Sequence, residues 1–239
     1  MSLLKQWVIL CRNIRGINAR EKQLALMNAI KVSGCSIICL QETKKEDFDL
    51  QFIKSCCPAK FDEFVFVPSV GASGGLNIIW NSSIFSGMVM HCEKFALSVH
   101  FTSTHSGQSW TLINIYGPCN GELREKFIEW MFEVHIPDDE DWILLGDFNF
   151  IRSPATRNKL GGNVNDMLIF NDFIREQHLT ELPIKGRKYT WSNMQQDPLL
   201  EQLDWFSPPF TGQLVFLTQL FPHKANQPLI TLPVLFYSD

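Results

Sequence analysis

The chain contains no run of eighteen or so apolar residues, so it offers no candidate for a membrane-spanning helix. Its first ten residues carry Lys5 and Gln6 and lack a small-residue cleavage site, so no secretory leader is expected. Charge is sparse: 19% of the 239 residues are Asp, Glu, Lys or Arg, against 45% hydrophobic, a balance that excludes wholesale disorder. Nor is positive charge in excess. A net charge of −4 gives no overall basic field to announce a nucleic-acid partner, although a local basic rim is compatible with it. Metal-ligand spacing is absent among the seven cysteines, whose odd number and adjacent Cys56-Cys57 fit reduced thiols of an intracellular protein. The glycine-rich stretch 71–75 lacks the Lys-Ser/Thr of a phosphate-cradling loop and reads as a hairpin.

What is present is an alternation of short apolar runs with helical patterns, long enough for one sizeable core or two small ones. Strands are expected over 6–12, 35–40, 64–68, 76–80, 95–101, 110–116, 141–145, 189–192 and 200–205. Helices are expected over 20–33, with Leu24, Met27, Ala29 and Ile30 on one face and Gly34 as the stop, over 123–134 and over 164–177. Strands flanking a few helices predict two packed sheets with helices outside, an α/β sandwich. Trp7, Trp80, Trp110, Trp130 and Trp142 fall in core positions, whereas Trp191 and Trp205 are candidates for a cleft wall.

The polar residues at the strand ends are the informative feature. Asn13, Glu42, Tyr116, Asp147 and Asn149 each lie within a few residues of a predicted strand's C-terminal end. On a shared sheet edge they would converge on one cleft. Carboxylates bunched with amides suit Mg²⁺, which takes one or two carboxylates and keeps several waters. The missing thiol and imidazole ligands argue against zinc. Singly, each residue reads equally as a turn former; only the set carries weight. Two basic clusters, Arg152, Arg157 and Lys159, then Lys185, Arg187 and Lys188, read either as solvated surface or as contacts to DNA phosphates.

Six motifs occur in a telling order: NIRGIN (13–18), LQETK (40–44), NIYGP (114–118), GDFN (146–149), YTWSN (189–193) and LDW (203–205). The set resembles the endonuclease/exonuclease/phosphatase superfamily, with its DNase I-like sandwich, and most of all the AP-endonuclease-like domain of plant LINE-type non-LTR retrotransposons. The resemblance implies a Mg²⁺- or Mn²⁺-dependent phosphodiesterase that nicks DNA and works in the nucleus, with no membrane and no obligate protein partner. It implies Glu42 as the principal metal ligand, with Asn13 in the metal's hydrogen-bonded shell. Asp147 would align or deprotonate the attacking water, Asn149 would hold the phosphate or that Asp, and Tyr116 would donate to the phosphate. Thr190 would contact substrate and Asp204 would orient a catalytic histidine; beside these, Arg12 next to Asn13 reads as serving a phosphate or sitting on the rim, and Trp191 as a substrate-facing cleft wall.

That histidine is missing. The family's last strand ends in Ser-Asp-His, and none of His91, His100, His105, His135, His178 and His223 follows Ser-Asp. Cys11-Arg12 also stands where many members carry an aromatic before the Asn. Beyond Trp205 the sequence turns apolar and proline-rich without a sustained period. Residues 5–205 therefore read as one incomplete domain and 206–239 as an aberrant tail, either frameshifted or a loosely packed Pro-rich extension, with the last strands missing or aberrant. In the shifted frame Leu229-Ile230 permits Asp and Ile230-Thr231 permits His. Two other readings stay open: a non-catalytic remnant, and a phosphodiesterase of the same fold acting on a phosphoinositide or sphingomyelin.

Overall fold

In the computed structural model the chain is described over residues 5–71, 73–119, 121–134, 136, 141–182, 184–185, 188–207, 214–216, 218–221 and 229–236, with backbone only at 5, 6 and 185 and after 207. Two β-α-β units organise it. In the first, β1 (Lys5–Asn13), α1 (Arg20–Ser33) and β2 (Ile37–Gln41) make a parallel pair with Ile9 opposite Ile37 and Asn13 opposite Gln41. A short helix α2 (Leu50–Cys56) follows, capped by Asp49, which accepts from the Phe52 N–H. Then β3 (Glu63–Val67) and β4 (Leu76–Trp80) extend the sheet antiparallel. After β5 (Phe85–Cys92) and β6 (Ala96–Ser103), the second unit is β7 (Ser109–Tyr116), α3 (Glu122–Glu133) and β8 (Trp142–Asp147). Here Tyr116 lies opposite Asp147 in a parallel pair. The parallel pairing of each unit brings the C-terminal ends of its two strands together, which is where open α/β sheets bind ligands.

A one-turn helix (Pro154–Thr156) and α4 (Val164–Glu176) lead to β9 (Ile184–Lys185), the small hairpin β10 (Trp191–Ser192) and β11 (Leu200–Glu201), and β12 (Asp204–Ser207). The second sheet runs β12-β8-β7-β6-β5. The first is closed by β13 (Leu214–Phe216), β14 (Thr218–Phe221) and β15 (Leu229–Phe236). β15 pairs with β1 from Lys5–Phe236 to Cys11–Ile230, giving the order β3-β4-β2-β1-β15-β14-β9. The expectation of missing last strands is corrected here. Strand pairing uses backbone groups, so an apolar, β-branched run such as LITLPVLF covers the open edge of β1 even without a clean alternation. Pro233, opposite Val8, has no N–H to give to either neighbour.

Three apolar layers hold the sandwich. Trp7, Ile9, Cys11, Ile78, Phe101, Leu112 and Leu145 fill the space between the sheets. Leu10, Leu26, Ile30, Ile38 and Ile53 seal α1 and α2 onto the outer face of the first sheet; Phe127, Met131, Leu144, Phe170 and Phe173 seal α3 and α4 onto the second. The inward face of α1 is set by Gln23, Leu26, Ala29 and Ile30, and Leu24 is 49% exposed. Gln23 goes inside because its amide donates to the carbonyls of Ile17 and Asn18. Gly34, at φ 65, ends α1 in the left-handed conformation as expected. Trp205, expected at a cleft wall, is instead buried against Phe170, its indole N–H donating to the Phe150 carbonyl. No helix among the described residues is long and apolar enough to cross a membrane.

Candidate active site

The ends of β1, β2, β7 and β8 meet in one cleft. Asn13 Nδ2 donates to Asp147 Oδ2 at 2.6 Å, tying the first sheet to the second. The backbone N–H of Asn149 donates to Asp147 Oδ1 at 3.0 Å, and Asn149 Nδ2 donates to the Gly117 carbonyl at 2.7 Å. Asp147 is thus held from both oxygens. Burial pushes its carboxyl up to about 6, with the Glu42 charge acting the same way and Asn13, Asn149 and Arg15 opposing. Tyr116, 9% exposed, has its phenol pushed up by burial and by Glu42, so it stays protonated as a donor.

Glu42 projects from a left-handed residue, φ 52, directly after β2, and Lys44 Nζ sits 2.9 Å from its Oε1. Arg15, Lys44 and Asn149 are also left-handed, at φ 50, 51 and 55. Four non-glycine residues in this conformation around one cleft is backbone strain concentrated at a site. Val70 donates its N–H to the Ser73 carbonyl, a turn contact as expected, and Gly74 and Gly75 clamp the Glu42 loop. Thr43 and Lys44 donate their N–H groups to the carbonyls of Gly75 and Gly74, both at 3.1 Å.

Of the other expected residues, Asp204 lies opposite Asp147 on β12, and Trp191 stands at the cleft with the Arg15 guanidinium 5.7 Å from its ring. Burial, then the Asp147 charge, raises Asp204 well above the usual carboxylate range; Thr190 and Arg15 oppose it. Two residues are not brought to the cleft surface. Thr190 is 4% exposed, and its hydroxyl accepts the N–H groups of Leu203 and Asp204, so it braces Asp204 from behind. Arg12 falls on the face of β1 opposite Asn13, because side chains alternate along a strand. It is 5% exposed, and its Nε and Nη1 have no hydrogen-bond partner among the described residues.

The first basic cluster is spent on ion pairs: Arg152 with Glu181, Arg157 with Glu201 and Lys159 with Asp197. Lys188 lies over Tyr189, and Arg187 is outside the described residues. Sequence reasoning missed Arg15, whose charge acts on Asp147, Asp204 and Tyr116; its place inside NIRGIN was the available signal. It also missed Arg124 on α3, which donates to the carbonyls of Pro118 and Asn149 and to Asp166. Cavities of about 310 Å³, beside Gly74, Gly75, Phe95 and Tyr116, and about 270 Å³, beside Asn149, Asn163, Trp191 and Leu203, flank the centre and share Cys119. Among the described residues, no group of three or more His, Cys, Asp or Glu is arranged to hold a metal.

Two mixed sheets with helices outside, and a polar centre where the β-α-β strand ends meet, define the α/β sandwich of DNase I-like proteins. Solved structures share this fold. The AP endonuclease LMAP from Leishmania major aligns with a TM-score of 0.73 at 13% identity, over 98% of this chain and 88% of its own. The endonuclease domain of TRAS1, a telomere-specific non-LTR retrotransposon, aligns with 0.70 at 10% identity, over 95% and 98%. An AP endonuclease from Archaeoglobus fulgidus aligns with 0.69 at 14% identity, over 97% and 100%. No family model and no curated protein sequence matches the chain.

Proposed function

We propose that the chain is a metal-dependent phosphodiesterase of the DNA-nicking kind. The observation that carries this reading is the Asn13–Asp147–Asn149 chain of hydrogen bonds beside Glu42 and Tyr116, on a fold shared with AP endonucleases and a retrotransposon endonuclease domain. The donors fit a hard divalent cation. Glu42 offers a carboxylate beside the Lys44 ammonium, and its charge acts on Asp147, so the two carboxylates share one field. Glu42, with Asn13 beside it, would hold Mg²⁺ or Mn²⁺, which when bound would supply Lewis-acid polarisation of the scissile phosphate. Asp147, its affinity for a proton raised toward neutrality, receives the proton of the attacking water. Tyr116, its phenol kept protonated, donates a hydrogen bond to a phosphate oxygen as charge builds, and Arg15 faces the same charge from the Trp191 side. A DNA substrate would place this work in the nucleus.

Among the described residues Asp204 has Asp147, Thr190 and Arg15 acting on it and no imidazole to orient, which favours weak turnover by this chain. The 5–205 and 206–239 division, with a frameshift between, belongs to the same reading. The test is nicking of supercoiled plasmid in Mg²⁺ at high enzyme concentration. Glu42→Ala and Asp147→Ala are each expected to lower it by on the order of a hundredfold or more. Mg²⁺-dependent nicking untouched by both substitutions would put the chemistry elsewhere.

A further inference from the structure

Between the sheets, directly beneath the cleft, the apolar filling is interrupted by a cluster of amides. Gln41, Asn77 and Asn114 are fully buried, with Cys11 beside them. Gln41 Nε2 donates to Asn114 Oδ1 at 2.5 Å and approaches Cys11 Sγ at 3.2 Å. Asn114 Nδ2 donates across the gap to the carbonyls of Leu40 and Asn77, at 3.2 and 3.3 Å. The cluster is an expensive way to fill a core, because Gln41 Oε1 and both side-chain polar atoms of Asn77 have no partner among the described residues. What an amide pair provides and an apolar pair does not is direction.

We infer that Gln41 and Asn114 are positioning residues, a hydrogen-bonded bolt that fixes the first sheet against the second and so sets the place of Glu42 relative to Tyr116 and Asp147. Gln41 is the residue before Glu42, and Asn114 is two residues before Tyr116. The inter-sheet core around them is built of Cys11, Cys39, Ile78, Leu97 and Leu112, side chains whose contacts are non-directional and permit sliding. A second polar tie between the sheets, Asn13 on β1 to Asp147 on β8, belongs to the reacting groups themselves. The Gln41–Asn114 bond is the tie that can persist while those groups engage substrate. For the metal this inference rests on the function proposed above.

The experiment compares wild type, Gln41→Met, Asn114→Leu and their double variant by thermal melting, MnCl₂ titration calorimetry and metal-free hydrogen exchange. Both single variants are expected to melt close to wild type. Amides at the cleft base, those of Gly16, Thr43 and Gly117, should exchange faster while those of β5 and β6 do not. Mn²⁺ affinity should fall on the order of tenfold, and the double variant should be no worse than either single. Glu42→Gln serves as the control that removes the metal. If Glu42→Gln leaves Mn²⁺ binding intact, the metal reading falls, and metal-free exchange decides the positioning role alone. Unchanged cleft-base exchange in both single variants overturns the inference. Should the apolar variants fail to fold, the exchanged pair Gln41→Asn with Asn114→Gln is expected to restore both fold and exchange pattern. Failure of that pair as well would make the cluster a packing element only, and the inference wrong.

Discussion

Gly146, the residue before Asp147, has φ 144, a conformation that side chains with a Cβ rarely adopt. A Cβ built there would lie 2.0 Å from the carbonyl oxygen of Ile115, on the neighbouring strand. Relief requires β7 and β8 to part by roughly 1 Å, since Cβ contacts closer than 3.0 Å essentially do not occur. Gly146→Ala therefore combines three costs. Backbone strain contributes about 1–3 kcal/mol, forced displacement in a packed layer about 1–3 kcal/mol, and each weakened ladder hydrogen bond about 1 kcal/mol. A loss of about 3–7 kcal/mol follows, which at this chain length lowers the melting temperature by on the order of 10–20 °C. Gly107→Ala is the control: its φ of 71 is also left-handed, but nothing lies within 4 Å of the added carbon. It should cost only about 1–2 kcal/mol. Urea unfolding of both variants, followed by circular dichroism, checks the comparison. If Gly146→Ala loses no more than Gly107→Ala, the close approach of β7 to β8 is not what that position requires.

Asp204→Asn should stabilise the protein at neutral pH. Burial raises the Asp204 carboxyl, so the stability it contributes is present below the unfolded carboxylate pKa and drains away as pH rises towards its folded value. The melting-temperature gain should accordingly be smallest near pH 4 and grow towards pH 7; a gain independent of pH would sink the argument. Arg12→Met should also stabilise, by about 1–3 kcal/mol, because it removes a buried guanidinium with two unpartnered nitrogens that also repels Lys22. A destabilised variant would mean that Arg12 has a compensating partner. At the level of the gene, the frameshift reading requires the Leu229 codon to end in G and the Ile230 codon in C, which sequencing decides.

The elements legible in the sequence were those with strong local punctuation. α1 starts and stops where its pattern and Gly34 indicate, and Leu76–Trp80 follows its glycine turn residue for residue. The strand-end residues Asn13, Glu42, Tyr116 and Asp147 were legible because each is an abrupt polar step after an apolar run. α2 was not: seven residues leave no room for a period, and its one local signal is the Asp49 cap. β5 escaped because it is an outer strand with Met88, Val89 and Met90 all exposed, so no buried face imposes alternation. Leu24 misled because apolar spacing alone cannot tell that Gln23 will find two carbonyls inside. Gln41 and Asn114 were invisible as a pair, since 73 positions separate them and only the packed sheets bring them together.

The pairing of β1 with β15, Lys5 opposite Phe236, has a consequence for how the molecule comes into being. On a ribosome adding about 5–20 residues per second, the first strand waits roughly 10 to 50 s for its outer neighbour. Throughout that interval its free N–H and C=O groups face outward, an adhesive border beside unfinished apolar surface. The cleft is delayed too, because Asp147 must emerge before Asn13 can bond to it. Helper proteins that shield nascent β-edges should therefore govern the yield of this chain, and co-expressing them should raise its recovery more than lowering the growth temperature alone.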